Sequence, residues 1–178
     1  MEEKIQEIIS IYRSQINDDK IFFYPYIPPK KLGNAIAAYG GNDGAEDALA
    51  LIDNTTFGNA KDGLLLTRSG VHVHNMLEAA FHLGLHEIRD VQFKGGMLES
   101  SISINDIYVF KSNMPKKSNT ALFAEMLTAV VGAAKVEALN VPQGHSVKEA
   151  LKELKDLLDE GLLTGACPNF CVNGSDFN

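Results

Sequence analysis

Thr56-Phe57-Gly58-Asn59-Ala60-Lys61-Asp62-Gly63-Leu64-Leu65-Leu66-Thr67-Arg68-Ser69-Gly70-Val71-His72-Val73-His74-Asn75 is the stretch whose reading sets the fold. It reads as one strand, a tight turn at Arg68-Ser69-Gly70, and a second strand on which Val71 and Val73 share a face. Leu64 and Leu66 alternate with Leu65, so the first strand is apolar on both faces and belongs at the centre of a sheet. A second β-rich block runs from Leu85 to Phe110, and an apolar helical stretch follows from about Ser118 to Leu139. This order predicts an α+β fold, a small bent antiparallel sheet or barrel plugged by a C-terminal helix.

Working outward, His72 and His74 occupy the face opposite Val71 and Val73. Met76 to Gly84 is less regular. Within Leu85 to Lys94, Ile88, Val91 and Phe93 are candidates for burial, and their offset suggests a bulge or bend. Gly95-Gly96 turns the chain into Met97–Ile104, and Asn105-Asp106 turns it again into Ile107–Phe110. The expected core is Leu64, Leu66, Val71, Ile88, Phe93 and Val109, with Phe123, Leu127 and Val130 of the closing helix packed on them.

The first 52 residues read as mainly helical. Ile5, Ile8, Ile9, Tyr12 and Ile16 recur at the three-and-four spacing of an amphipathic helix, with Glu2, Glu3 and Glu7 near its positive end. Ile21-Phe22-Phe23-Tyr24 is either a strand or a segment packed across the core. A second helix is expected from Pro29, with Leu32, Ile36 and Tyr39 inward and a stop at Gly40-Gly41. Asp43 and Glu46 have the spacing of a capping box for a short third helix through Leu51. The same acidic loop lacks the ligand alternation of a calcium site, because Gly44 falls too early and no closing Glu follows.

A chain of 178 residues that is 45% hydrophobic can bury one core with some appended elements. Its net charge of −7 argues against a nucleic-acid surface. Lys30-Lys31 and Lys116-Lys117 sit beside prolines and read as solvated loops. The start, Met1-Glu2-Glu3-Lys4, lacks the basic-then-apolar order of a secretory peptide. The charge-free run between Glu125 and Lys135 is far short of the ~20 residues that span a bilayer. A cytoplasmic protein with no membrane insertion is expected. Cys167 and Cys171 both lie near the end of the chain, so no disulfide framework is expected to hold the core.

The run Leu51-Ile52-Asp53-Asn54-Thr55-Thr56-Phe57-Gly58, with Asp62 to Thr67, Ser69-Gly70-Val71 and Glu87-Ile88-Arg89-Asp90-Val91, resembles bacterial pleckstrin-homology-like domains over about half the chain. The resemblance implies a bent antiparallel sheet capped by the C-terminal helix, in a binding or scaffolding module without catalytic residues. Lipid-binding members carry a basic loop between their first strands, whereas the turn here holds Arg68 alone. Ser146 to Thr164 is similar to the first half of the short helical module called SHOCT. Ser146 and Glu149 form its capping box, Val147, Leu151, Leu154 and Leu158 its apolar stripe, and Gly161 its stop. The chain continues Gly165-Ala166-Cys167, without the second helix of that module. This second resemblance implies oligomerisation, with the four stripe residues as the self-association or docking surface.

Three segments follow: a helical segment at 1–52, the β domain with its capping helix at 53–139, and a linker, helix and tail at 140–178. Candidates for chemistry are few. His72 and His74 at i, i+2 suit a metal in principle, with His82 and His86 near in sequence. No carboxylate or cysteine with ligand spacing accompanies them, so solvent-facing strand histidines are the expectation. Cys167 and Cys171 lie in a Gly/Asn/Ser-rich tail rather than a thiol or zinc motif. No phosphate loop and no Ser-His-Asp arrangement can be placed. The expected function is a non-enzymatic module, without cofactor, that self-associates into a homo-oligomer and docks a protein partner. The alternative is a specific inhibitor, an immunity or anti-defence protein whose acidic balance suits a basic target. A hydrolase built on the histidines is a third and weaker reading.

Overall fold

Leu64, Leu65 and Leu66 are all fully buried, and two separate cores account for that. The computed structural model describes residues 2–97, 99–140 and 155. In chain order these form α1 (Glu2–Gln15), β1 (Ile21–Phe23), α2 (Pro29–Tyr39), β2 (Ala48–Asp53), β3 (Gly63–Thr67), β4 (Gly70–His74), β5 (Phe81–Gly84), β6 (Val91–Gly95), β7 (Ser100–Ile104), β8 (Tyr108–Ser112) and α3 (Lys117–Asn140). Strands β1 to β5 make one antiparallel sheet in sequence order, and β6 to β8 make a second. Strand β3 is central in the first sheet, as its two-sided apolar pattern requires.

One face of the first sheet presents Leu64, Leu66, Val71 and Val73 to Ile102, Ile104 and Phe110 of the second sheet and to Phe123, Met126, Leu127 and Val130 of α3. Helix α1 packs on α3 and adds Ile5 and Ile9 to that core. The opposite face is covered by α2, where Leu32, Ala35 and Tyr39 enclose Leu51 and Leu65. Pro29 opens α2 and the backbone N–H of Gly40 closes it on the carbonyls of Ala35 and Ile36, which matches the sequence reading. The Asn105-Asp106 turn is made with both residues left-handed, at φ 55° and 59°.

Several expectations are corrected. The sheets do not close into a barrel: among the described residues no ladder joins β5 to β6 or β8 to β1. Between them the chain turns at Gly84–Glu87, buries Ile88, and is drawn to the β7–β8 turn by Asn105, whose Oδ1 accepts from the N–H groups of Arg89 and Asp90. The third helix is only one 3-10 turn, Ala45–Asp47, and Ala48–Asp53 is a fully buried strand. Phe81–Gly84, read as irregular, is a strand, and the strand expected from Leu85 begins at Val91. Phe93 and Val109 are only partly buried. Strand β6 is an edge, and on β8 it is Phe110, opposite Ile102, that enters the core.

The chain divides into two compact units, Met1–Asn140 and Val141–Asn178, and β2 crosses the division expected at residue 53. The stripe Val147, Leu151, Leu154 and Leu158, with Cys167 and Cys171, lies outside the described residues. No helix among the described residues is long and apolar enough to cross a membrane.

Leu66→Ala removes a fully buried side chain from the larger core and should destabilise the protein by about 2–5 kcal/mol in urea unfolding. A change under about 0.5 kcal/mol would contradict this packing.

Candidate functional site

The loop between β2 and β3, residues 54–62, is organised by a single carboxylate. Asp53 is fully buried. Its Oδ1 accepts from the backbone N–H of Thr55 at 3.0 Å, the Thr55 hydroxyl at 2.5 Å and the N–H of Ala60 at 3.2 Å. Its Oδ2 pairs with the Lys31 ammonium, which also donates to the Gly58 carbonyl at 2.7 Å. Burial pushes the Asp53 carboxyl up, but the Lys31 and Thr55 hydrogen bonds outweigh it and hold the group below the usual range. The loop therefore folds around an anion, and its tip carries Phe57, which is 93% exposed.

Two asparagines fix what faces this loop. Asn54 donates from Nδ2 to the Lys111 carbonyl at 2.8 Å, and its Oδ1 accepts from the N–H groups of Asn113 and Met114. Asn75 donates to the Val109 carbonyl at 2.7 Å and accepts from the Lys111 N–H at 2.9 Å. Side-chain amides thus tie the edge strand β8 to the ends of β2 and β4.

Between these groups lies an open cleft of about 470 Å³, lined among others by Phe57, Lys61, Asn75, Met76, Lys111 and Met114. Phe57, Met76 and Met114 stand at it among polar side chains; Met76 is 70% exposed, and Leu77, next to it in the chain, is 97% exposed with a left-handed backbone, φ 67°. Isolated exposed apolar residues are ordinary, but several around one opening are not. Lys111 is paired with Glu78, whereas the Lys61 ammonium has no partner among the described residues. A second hollow, with Met97 and Glu99, adjoins through Asn113.

The histidines lie elsewhere and act differently from expectation. His72 is buried, not solvent-facing. Its Nε2 lies 2.8 Å from Asp43 Oδ2, which also accepts from the hydroxyls of Thr67 and Ser69, each at 2.5 Å. Burial pushes the Asp43 carboxyl up, but the hydrogen bonds from Ser69, Thr67 and His72 prevail and hold it at about 2. An ionised Asp43 only accepts, so Nε2 of His72 carries the proton. His82 lies opposite His72 on β5, with ring centroids 4.2 Å apart. Partial burial and the His72 ring lower its pKa.

His74 is engaged separately, 2.8 Å from the Lys61 carbonyl and 2.9 Å from Asp62, and stacks on Tyr39. His86 is exposed. The structure thus brings together His72 and His82 but not all four. Among the described residues no group of three His, Cys, Asp or Glu side chains can hold a metal ion. Ser69 and Thr67 both donate their hydroxyls to Asp43. Its chemistry is that of a clasp between the α2–β2 loop and the β3–β4 turn.

The sequence reading missed Asn54, Asn75 and the cleft rim. The available signal was large apolar residues inside turn-forming runs: Phe57 before Gly58, and Met76-Leu77 after Asn75. The fold and the cleft define an α+β domain with an opening that carries exposed apolar side chains. No family model matches the chain, and no curated protein or solved structure matches it either.

A carboxyl with a lowered pKa contributes stability that is present above its unfolded value and lost as the pH falls through its folded value. For Asp43 that window runs from 3.8 down to about 2. Asp43→Asn should destabilise the protein by about 1–3 kcal/mol at neutral pH and flatten the loss of stability across that acid window. Equal acid slopes in urea titrations of the two proteins would contradict the clasp. His82 has the opposite charge change, but the same sign follows: its lowered pKa means that stability falls as the pH drops below 6.5. Asp43 and Glu87 oppose this shift. His82→Gln should make stability between about pH 7 and 5 less pH-dependent, and an unchanged profile would contradict it.

Proposed function

We propose that this chain is a non-enzymatic interaction module of the bacterial cytoplasm that self-associates and docks a protein partner. The observation that carries the reading is the set of large apolar side chains exposed around one cleft, Phe57, Met76 and Met114, on loops fixed by side-chain hydrogen bonds. Such residues cost solvation free energy in water and are retained where something covers them. Support for a pleckstrin-homology-like domain comes from the order of elements: strands β2 to β5 with β1 added at the edge of the same sheet, a three-strand meander from β6 to β8, then α3. Self-association is assigned to the SHOCT-like stripe Val147, Leu151, Leu154 and Leu158. The inhibitor reading needs an acidic face for a basic target, and a cleft lined by Lys61 and Lys111 as well as Asp62 is not such a face.

Light scattering of the full chain should give a mass above that of the 19.4 kDa monomer, and deletion from Val147 onward should return the monomer. A monomeric full chain at high micromolar concentration would overturn the self-association.

A further inference from the structure

The lining of the cleft sorts by chemistry into apolar anchors, unspent hydrogen-bonding groups and one uncompensated charge. Phe57, Met76 and Met114 are the anchors. The Thr56 hydroxyl and the side-chain amide of Asn113 have no partner among the described residues. Asp62 is the one carboxylate of the lining, and its Oδ1 lies 2.9 Å from His74 Nδ1. Lys111 is paired with Glu78, which leaves the exposed ammonium of Lys61. Glu99 belongs to the adjoining hollow, where the Lys117 ammonium reaches the Met97 carbonyl at 2.9 Å. On a chain of net charge −7, the charge left over at this opening is thus positive. We infer that the cleft receives a short segment of a partner protein that is both apolar and acidic. Its apolar side chains lie against Phe57, Met76 and Met114, a carboxylate meets Lys61, and its backbone pairs with Asn113 and Thr56. The inference rests on the docking of a protein partner proposed above and names the chemistry of what is docked.

Shape and hydrogen bonding favour a peptide segment over a lipid surface or a wholly apolar ligand. The cleft is concave, and its volume of about 470 Å³ suits a few projecting side chains. A bilayer meets protruding tips but leaves recessed polar groups without partners, and a hydrocarbon ligand does the same, each at a desolvation cost. A peptide backbone offers a donor and an acceptor at every residue, and the Asn113 amide is itself both. A carboxylate on the segment answers the one charge that the protein does not answer itself, which sets the preferred sign of the partner. Loop 54–62 and residues 113–114 are held beforehand by Asp53 and Asn54, so little order has to be gained on docking. In such an interface the apolar anchors supply most of the affinity.

A display library of short random peptides, panned against the full chain, tests this. The enriched peptides should combine large apolar residues with Asp or Glu and be poor in Lys and Arg. Synthetic copies of them should bind full-length Phe57→Asp and Lys61→Glu about tenfold or more weakly than the unsubstituted chain. Phe57 is an exposed loop tip and Lys61 an exposed side chain, so the circular dichroism spectrum should stay unchanged in both variants. Enriched peptides of basic character would overturn the inference while leaving the docking of a protein partner standing. Binding of both variants at the unsubstituted strength would do the same, because it places the docking surface elsewhere on the domain. Retention of the unsubstituted chain but not of Phe57→Asp on phosphatidylserine vesicles would overturn it in favour of a lipid surface. A library that yields no enriched peptide would overturn both the inference and the docking reading.

Discussion

Asp53 places a carboxylate at the end of β2 where no solvent reaches it, and the chain on both sides is arranged to satisfy it. Lys31 brings α2 to the sheet, Thr55 bends the loop back on itself, and Ala60 returns the chain toward β3. A buried ion is tolerable only when paired and hydrogen-bonded, and losing one partner typically costs about 3–5 kcal/mol. The need to satisfy this charge thus dictates the path of residues 54–62. Gly63, where the loop rejoins the sheet, meets the same constraint from the other side. Its φ is 156°, and a Cβ there would lie 2.0 Å from the Ile52 carbonyl oxygen. Only glycine lets β2 and β3 approach so closely after the loop.

The order imposed by Asp53 passes to the cleft through Asn54, the next residue. Its amide holds Lys111, Asn113 and Met114 in place, and Asn75 does the same from the end of β4. The cleft lies among these groups. Its base is held by hydrogen bonds and its mouth carries Phe57, Met76 and Met114, and loops fixed in advance lower the ordering cost of binding. The Asp43–His72 clasp does comparable work at the β3–β4 turn, so two carboxylates, one before β2 and one at its end, secure the sheet to its connecting loops.

What was legible in the sequence was what local pattern dictates. Leu64-Leu65-Leu66 announced a strand buried on both faces, Pro29 and Gly40-Gly41 bounded α2, and Asn105-Asp106 marked its turn. What was not legible depended on partners distant in sequence. Ala48-Leu49-Ala50-Leu51 consists of good helix formers, yet pairing with β1 and β3 makes it a strand. Asp43 leaves its expected cap role because Thr67, Ser69 and His72 offer three donors. His72 is inward because its acceptor lies 29 residues away, and Asn54 reaches across 57 residues to Lys111. Phe110 rather than Val109 enters the core because the register with β7 sets it opposite Ile102. Alternation alone leaves that choice open.

Hydrogen–deuterium exchange of the full chain, compared between the unsubstituted protein and Asp53→Asn, tests most directly whether the buried carboxylate orders the loop and, through Asn54, the cleft. The account predicts faster exchange in loop 54–62 and at 113–114 in the substituted protein, with the β6–β7 ladder unchanged. Exchange of loop 54–62 at the unsubstituted rate would contradict it.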